Sequence, residues 1–423
     1  MDDHLKLLYF WTFFSRVLVF LLVYSTAYYF PQFDTSHKTL QHLISKWSEP
    51  LLRWDNFHFL HIAQEGYVYE HEWAFLSGAS LVMRYTGYIA EMLSGKSADF
   101  LLTGAFVVMA CDTTRMLYRL ALYHLKSKKL AYLVALLSIM SSSPVTLRLT
   151  PYQEPFFTYL SYRGMLYCTK QRWLYASICF AVAATFRSNG ILLSGYILWG
   201  LIIVPLLGKK MIPSKNILLS ILYTSLIFSP FIYHQYTGYL TFCVLPTLAP
   251  NHSTNVHTVP EWCNTTIPSI YTHAQKAYWD VGFLRYWTPQ QIPNFFLAAP
   301  PLGCLFAFCY HILSHSSLLV SQMMGKPRRA EDAESSSPFL TPTLLPHAIH
   351  ALIFSFLILF NSHVQIILRL GPSLPVLYIA AAWLVVGDDD GSRNWKWGKI
   401  WVGWSLTWGV LACTFWAAGL PPA

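Results

Sequence analysis

The sequence predicts an all-α membrane protein that crosses the bilayer many times, and three observations indicate this class. Of the 423 residues, 54% are hydrophobic and only 12% are charged, which is far from the averages of soluble proteins. Apolar segments of membrane length recur along the whole chain. Aromatic residues collect at segment ends, for example at Tyr28, Tyr29 and Phe30, as in interfacial belts. We therefore expect a single polytopic membrane domain over residues 1–423.

The hydropathy pattern predicts about eleven transmembrane helices. Several are short for an undistorted bilayer, which fits a thin membrane or helices inside the bundle. The first contains Arg16 and ends in Tyr-Tyr-Phe-Pro, so we expect a retained helix and not a cleaved signal peptide. The predicted spans are residues 5–30, 99–123, 130–148, 152–169, 172–186, 190–208, 216–236, 295–319, 343–360, 364–386 and 398–419.

Basic residues alternate between the predicted loops and indicate the orientation. Lys and Arg cluster in every second loop, and cytoplasmic loops are rich in these residues, so we expect a cytosolic amino terminus. Two long loops, at 31–98 and 237–294, then lie on the luminal side. A polar Pro/Ser-rich stretch at 326–342 is predicted to be a disordered cytosolic linker. The formal net charge of +9 reflects this topology and not a nucleic-acid footprint.

The loop at 237–294 has features of a secretory lumen. It contains two N-glycosylation sequons, at Asn251 and Asn264. It also contains Cys243 and Cys263, whereas the other cysteines lie in predicted spans, where a buried apolar role is ordinary. A disulfide between Cys243 and Cys263 is therefore a hypothesis that an oxidising lumen permits.

The densest group of polar residues follows the first span. Residues 53–75 combine carboxylates and histidines with aromatic side chains. Asp55 lies three residues before His58, so the two share a face if this segment is helical. Asp55 is either a catalytic group or a helix cap and partner of Arg53. The same residue types permit a divalent metal, but no cysteine or tight ligand pair supports one, so we expect no metal.

Two further polar groups lie at predicted luminal span ends. Gln153 and Glu154 stand between two prolines, a break that membrane proteins tolerate where backbone lines a cavity. Glu154 is either a ligand contact or a buried partner for Arg148. Arg187 and Asn189 lie just before the next apolar segment. Arg187 either binds a phosphate or belongs to a polar turn.

The last group contains His363 and Gln365, one helical turn before Arg369. An ionised group at the bilayer centre costs about 2.5 to 3.5 kcal/mol, so such groups usually have a role there. We interpret the three as substrate contacts with an anion clamp, and the alternative is a set of interhelical hydrogen bonds.

Taken in order, these motifs resemble one known family, the second mannosyltransferase of glycosylphosphatidylinositol (GPI) anchor assembly. Its members look like Arg-Trp-Asp-x-x-His-Phe, Gly-Tyr-x-Tyr-Glu-His and Ala-Phe, then Tyr-x-Glu, Arg-Ser-Asn-Gly and His-Val-Gln. The resemblance covers residues 53–378. This chain departs from the family at Leu76-Ser77, where members tend to have Phe-Pro, and at Gln153, where Thr is usual.

The resemblance implies a GT-C type glycosyltransferase bundle in the endoplasmic reticulum membrane, with a luminal active site. The implied reaction transfers the second, α-1,6-linked mannose from dolichyl-phosphate mannose to a mannosyl-glucosaminyl acyl-phosphatidylinositol, with inversion. Both substrates are membrane lipids, so no separate cofactor and no nucleic acid is expected. Fungal members of the family imply a small membrane subunit as a further partner.

The resemblance also implies roles for the motif residues. Asp55, in the first luminal loop, is the expected catalytic base. Glu72 lies outside the matched motif, so we expect Glu72→Gln to be mild. The expected substrate-binding residues are Arg53, Trp54, His58, Glu70, Gln153, Glu154, Arg187, Asn189, His363, Gln365 and Arg369.

Two other functions stay open at this point. One is another dolichol-sugar-dependent GT-C transferase with a different acceptor. The other is a lipid or solute transporter with Asp112, Arg115 and Arg119 on one helix face as its polar pathway, although these residues also fit interfacial salt bridges. A pocket that joins Asp55 to an arginine distinguishes a transferase from a pathway open to both sides.

Overall fold

The computed structural model describes residues 3–33, 44–245, 259–324, 337–387 and 394–420. Within these ranges every regular element is helical, which confirms the all-α prediction. The α-helices are α1 (Asp3–Tyr29), α2 (Asn56–Glu65), α3 (Gly78–Ser94), α4 (Phe100–Ala110), α5 (Thr113–Leu125), α6 (Lys128–Ile139), α7 (Pro144–Arg148), α8 (Gln153–Thr169), α9 (Trp173–Ala184), α10 (Ser194–Leu198), α11 (Val204–Leu207), α12 (Ser214–Tyr239), α13 (Ile270–Trp279), α14 (Ile292–Ser314), α15 (Ser316–Met323), α16 (Leu345–Asn361), α17 (Ile367–Leu370), α18 (Pro375–Val386) and α19 (Asn394–Ala418).

Seven helical segments of the described chain are long and apolar enough to cross a membrane. A further pair, Val364–Ser373 and Pro375–Val386, is bent by 89° and makes an eighth span if the pair is counted as one. The multi-pass class is therefore confirmed, whereas the predicted number of about eleven is not. The seven are Asp3–Tyr29, Phe100–Leu125, Ser188–Leu207, Ser214–Val244, Pro289–Ser314, Pro342–Asn361 and Lys396–Ala418.

The three remaining predicted spans, at 130–148, 152–169 and 172–186, form shorter helices. The first is divided between α6 and α7, because three serines and Pro144 end one helix and begin the next. The third gives α9, whose 12 residues extend only about 18 Å, against a hydrocarbon core of about 30 Å. Hydropathy detects apolar composition but not these breaks, so it overestimates the number of full crossings.

Two of the long spans lie at the periphery. Only 22% of the most apolar window of α1 and 17% of that of the Ser214–Val244 span are buried inside the protein. Their outward faces carry large apolar side chains such as Phe13 and Ile221. These faces suit contact with lipid tails, whereas α18 is largely enclosed by its neighbours.

The first predicted luminal loop, 31–98, contains two helices that the hydropathy pattern did not predict. α2 begins directly after Asp55, and α3 begins at Gly78. The Gly78 N–H donates to the Thr185 carbonyl at 2.8 Å, and a Cβ at Gly78 would lie 2.6 Å from the Phe186 ring. Only glycine allows this approach, which holds the start of α3 against the chain that leads to Arg187.

The second predicted loop, 237–294, is attached to the first. Cys243 and Cys263 form a disulfide bond. Together with Trp73, Trp262 and Ile270 they make a small hydrophobic core separate from the main one. This core fixes the start of α13 against the first loop.

Two sequence predictions fall wholly or partly outside the described residues. Asn251 lies outside them, whereas Asn264 is exposed at the end of a helical turn, Glu261–Asn264. Most of the predicted linker at 326–342 also lies outside, and at its described end Phe339 is fully buried.

Candidate active site

A cavity of about 600 Å³ opens where the two loops meet the ends of α8 and α16. Its wall contains charged, amide and aromatic side chains. The structure therefore brings together residues that are far apart in sequence, including most of the predicted site. The predicted residues that line the cavity are Asp55, Gln153, Arg187, Asn189, His363, Gln365 and Arg369.

An ion network crosses one end of this cavity. The Arg369 Nη2 lies 2.9 Å from Asp55 Oδ2, and Arg369 Nε lies 3.0 Å from Glu154 Oε1. Arg187 Nη1 lies 2.8 Å from the same Glu154 oxygen. Glu154 is 1% exposed, so its carboxylate is compensated by both guanidinium groups at once. One buried carboxylate thus fixes the spacing of two arginines that face the cavity.

The network matches neither interpretation of Glu154 that the sequence left open, because this carboxylate is buried and does not line the cavity as a ligand contact would. Glu154 does not pair with Arg148, whose Nη2 donates to the Ser138 carbonyl at 2.9 Å. Its partners are instead Arg187 and Arg369, which lie 33 and 215 residues further along the chain. Gln153, next in sequence, donates to the Leu76 carbonyl at 3.1 Å.

Tyr152 positions both ends of the Asp55–Arg369 pair, and the sequence analysis did not single it out as a site residue. Its buried hydroxyl accepts the Asp55 backbone N–H at 3.0 Å. The Arg369 guanidinium lies 4.7 Å from the centre of the Tyr152 ring, a cation–π contact. Asn56, directly after Asp55, donates to the Thr150 hydroxyl at 2.5 Å. The segment before α8 therefore holds the catalytic candidate in place.

The two residues before Asp55 lie outside the cavity wall. Arg53 is buried and donates to the carbonyls of Glu49 and Leu52 at 2.9 and 2.8 Å. Trp54 has a φ of +54°, a left-handed conformation that is rare for a bulky residue. Asp55 occupies the N-cap position of α2, but its side chain makes no capping hydrogen bond. The left-handed turn at Trp54 instead orients the Asp55 side chain relative to α2.

His58 and Glu70 also lie behind the cavity wall and not on it. The His58 ring stacks on Phe75, a lining residue, with 5.0 Å between ring centres. Burial lowers the pKa of His58, although the Asp55 carboxylate opposes this shift, so the imidazole is neutral at neutral pH. Glu70 accepts hydrogen bonds from Trp262 Nε1 at 2.7 Å and from the Tyr278 hydroxyl at 3.0 Å. Glu70 therefore ties the first loop to the second.

Glu72 has a larger structural role than its place outside the motif indicates. It is 1% exposed, and its Oε2 accepts the N–H groups of Val68 and Tyr69 at 2.9 Å each. Its other oxygen contacts His61. In Glu72→Gln the amide oxygen still offers an acceptor for these two N–H groups, so the mild effect of this variant stays a prediction.

Helix α13 supplies four of the cavity residues that were not predicted from the sequence. The hydropathy pattern assigns residues 237–294 to a loop, and no short motif marks this helix. The spacing of aromatic and amide residues at every fourth position is the only local signal. The α13 residues on the cavity wall are Tyr271, Thr272, Gln275 and Trp279.

Among the residues that the structure describes, no group of three or more His, Cys, Asp and Glu side chains is placed to hold a metal ion. The lack of a metal requirement stays a prediction.

Known proteins provide an independent comparison. The chain is 32% identical to a protein named GPI mannosyltransferase 2 from Cryptococcus neoformans, over 97% of this chain and 96% of that protein. It is 31% identical to GPI alpha-1,6-mannosyltransferase 2 from Rattus norvegicus, over 79% of this chain and 73% of that protein. It is 29% identical to a GPI mannosyltransferase 2 from Drosophila melanogaster, over 82% of both.

No solved structure matches this chain. The sequence profile of one family, described as Mannosyltransferase (PIG-V), matches residues 4–423. The polytopic helical fold, the cavity that joins Asp55 to two arginines, and this match over nearly the whole length agree with one another. The chain therefore belongs to the PIG-V mannosyltransferase family.

Proposed function

We propose that this protein adds the second, α-1,6-linked mannose to the GPI-anchor precursor, with dolichyl-phosphate mannose as the donor, in the endoplasmic reticulum membrane. The names of the relatives support the pathway and, for the rat protein, the linkage. The observation that carries the proposal is the network of Asp55, Arg369, Glu154 and Arg187 at one end of a cavity. It combines a proton acceptor with an anion site.

The proposed chemistry needs both groups. The donor has a β-linked phosphate and the product is an α-mannoside, so the anomeric carbon is inverted in a single displacement. The acceptor hydroxyl forms the new C–O bond and gives its proton to the Asp55 carboxylate. The bond between the anomeric carbon and the phosphate oxygen breaks, and the electron pair leaves with dolichyl phosphate.

The arginines stabilise that leaving group. Negative charge grows on a phosphate oxygen as the bond breaks, and guanidinium groups bind phosphate through parallel hydrogen bonds. Arg369 and Arg187 both face the cavity, and Glu154 keeps them adjacent. Two fixed cations at this position perform the electrostatic work that a metal ion does in other transferases.

A reconstitution experiment tests this function. Microsomes from cells that lack the endogenous enzyme, with and without this protein, are given dolichyl-phosphate mannose and the GPI precursor that carries one mannose. We expect conversion to the two-mannose product only when the protein is present, and cleavage of that product by an α-1,6-specific mannosidase. Accumulation of a precursor at a different step in depleted cells would contradict the assigned acceptor.

The proposed orientation predicts a glycan on the second loop. Asn264 is exposed beside the disulfide, and Asn251 lies in the same loop. We expect endoglycosidase to increase the gel mobility of the protein, and the double variant Asn251→Gln, Asn264→Gln to lose this shift. Cleavage of this loop by protease added to sealed microsomes would place it in the cytosol and overturn the orientation.

The transporter alternative is less well supported. Asp112 accepts the Arg115 backbone N–H at 2.9 Å and so caps α5, and Arg115 Nη1 donates to the Tyr9 hydroxyl at 2.5 Å. The first contact caps α5 and the second ties α5 to α1, as expected for helix packing and not for a polar pathway. The small membrane subunit stays an expectation from the family resemblance.

A further inference from the structure

We propose that one face of α13 is the binding site for the acceptor glycan, next to the ion network at which the donor phosphate binds. This inference rests on the proposed mannosyl transfer and adds the location of the second substrate. Its ligand class is a hydroxyl-rich glycan at the head of a membrane lipid, and the mannose that accepts the transfer is uncharged.

The α13 residues on the cavity wall form a continuous strip. Tyr271, Gln275 and Trp279 are spaced by four residues, so their side chains project from the same helix face. At 1.5 Å per residue the strip is about 12 Å long, which exceeds the length of one hexose ring. Ile270 and Ala274, on another face, are buried. The helix therefore presents one face to the cavity and packs through another.

The chemistry of this strip differs from that of the neighbouring ion network. Its aromatic rings offer apolar surfaces for the C–H faces of a sugar, and its amide and hydroxyl groups match sugar hydroxyls. The charged and uncharged groups are distinct, because Arg187, Arg369 and Asp55 belong to the ion network and the strip carries no charged side chain. A phosphate is attracted to the two arginines, whereas the uncharged mannose of the acceptor gains most from the strip. The Asp55 side chain, in the ion network of the same cavity, can then take a proton from a hydroxyl of that mannose.

The strip is held rigidly before any ligand binds. Gln275 Nε2 donates to the Ala74 carbonyl at 3.2 Å, which leaves its amide oxygen to accept a hydrogen bond. The Tyr271 hydroxyl lies 2.8 Å from Ser188 Oγ. His363 Nε2 donates to the Trp279 carbonyl at 2.8 Å. A fixed surface loses little conformational entropy when the glycan binds.

The test is a comparison of Michaelis constants in the full-length protein, with donor and one-mannose acceptor varied in turn. We expect Trp279→Ala to raise the acceptor KM by about 10- to 100-fold, as for loss of a buried aromatic contact. Gln275→Ala should raise it by about two- to tenfold, as for loss of one hydrogen bond. Trp279→Phe should recover part of the loss, because it retains a ring. The donor KM should change much less in each variant.

Lys276→Ala is the matched control, since Lys276 is exposed on the same helix and lies outside the cavity wall. It should leave both constants as in the unmodified protein. An unchanged acceptor KM in Gln275→Ala and Trp279→Phe, or an equal rise in the donor KM, would overturn the acceptor site. If Trp279→Ala fails to fold, the other two variants decide. Absence of any mannose transfer by the unmodified protein would instead refute the proposed function.

Discussion

Asp55→Asn is expected to lower the turnover number by about 100- to 10,000-fold, the usual contribution of a positioned general base. Asparagine keeps the shape of the side chain and can still accept a hydrogen bond from Arg369, but it cannot take the proton of the acceptor hydroxyl. The loss should therefore appear in turnover more than in folding. Transfer rates with purified protein, together with surface display of GPI-anchored proteins in cells lacking the enzyme, measure this effect.

Glu65→Gln is a suitable control for Asp55→Asn. Glu65 is the last residue of α2, the helix that Asp55 precedes. Its side chain is exposed and does not line the cavity. We expect this variant to transfer mannose as the unmodified protein does. A well-expressed Asp55→Asn protein that restores surface anchoring fully would show that another group, with Glu154 as the nearest candidate, accepts the proton.

Arg369→Leu is expected to lower kcat/KM for dolichyl-phosphate mannose by about 100- to 1,000-fold. A loss of this size is typical when a hydrogen-bond donor that stabilises a developing anion is removed. Arg369 contacts both Asp55 and Glu154, so leucine also leaves the buried Glu154 with Arg187 alone. Breaking a buried pair of this kind costs about 3 to 5 kcal/mol of stability. Thermal unfolding and donor titration should therefore both report the change.

Arg369→Lys separates charge from geometry. Lysine keeps the charge but lacks the planar fork, so it cannot bond Asp55 and Glu154 together as Arg369 does. We expect a folded protein with a raised donor KM. Arg187→Leu should have a smaller effect on Asp55, because Arg187 bonds only to Glu154 in this network.

An arginine elsewhere on the same helix as Glu154 controls for loss of positive charge. Arg163 is exposed on α8 and donates to the Tyr159 hydroxyl at 3.2 Å. Arg163→Leu should leave donor binding unchanged. Normal donor dependence in both Arg369→Leu and Arg187→Leu, at equal protein levels, would remove the support for a phosphate clamp.

The amino-acid sequence by itself determined the class of this protein and part of the composition of its candidate site. Apolar segments are local features, so hydropathy was enough to predict an all-helical, multi-pass chain. The motifs around Asp55, Glu154, Arg187 and Arg369 identified the family, which the comparison over residues 4–423 confirmed. What local pattern could not reveal was the number of full crossings, because breaks inside apolar runs barely change hydropathy.

The tertiary structure decided which of these residues meet. Arg369 lies 314 residues from Asp55 and 215 from Glu154 along the chain, so no spacing rule predicts that it bonds to both. The same long-range packing gave Glu154 two arginine partners other than Arg148. It placed α13 on the cavity wall and left Glu70 behind it. A buried carboxylate pairs with the cations that the fold brings within a few ångströms of it, and separation along the sequence does not predict that distance in space.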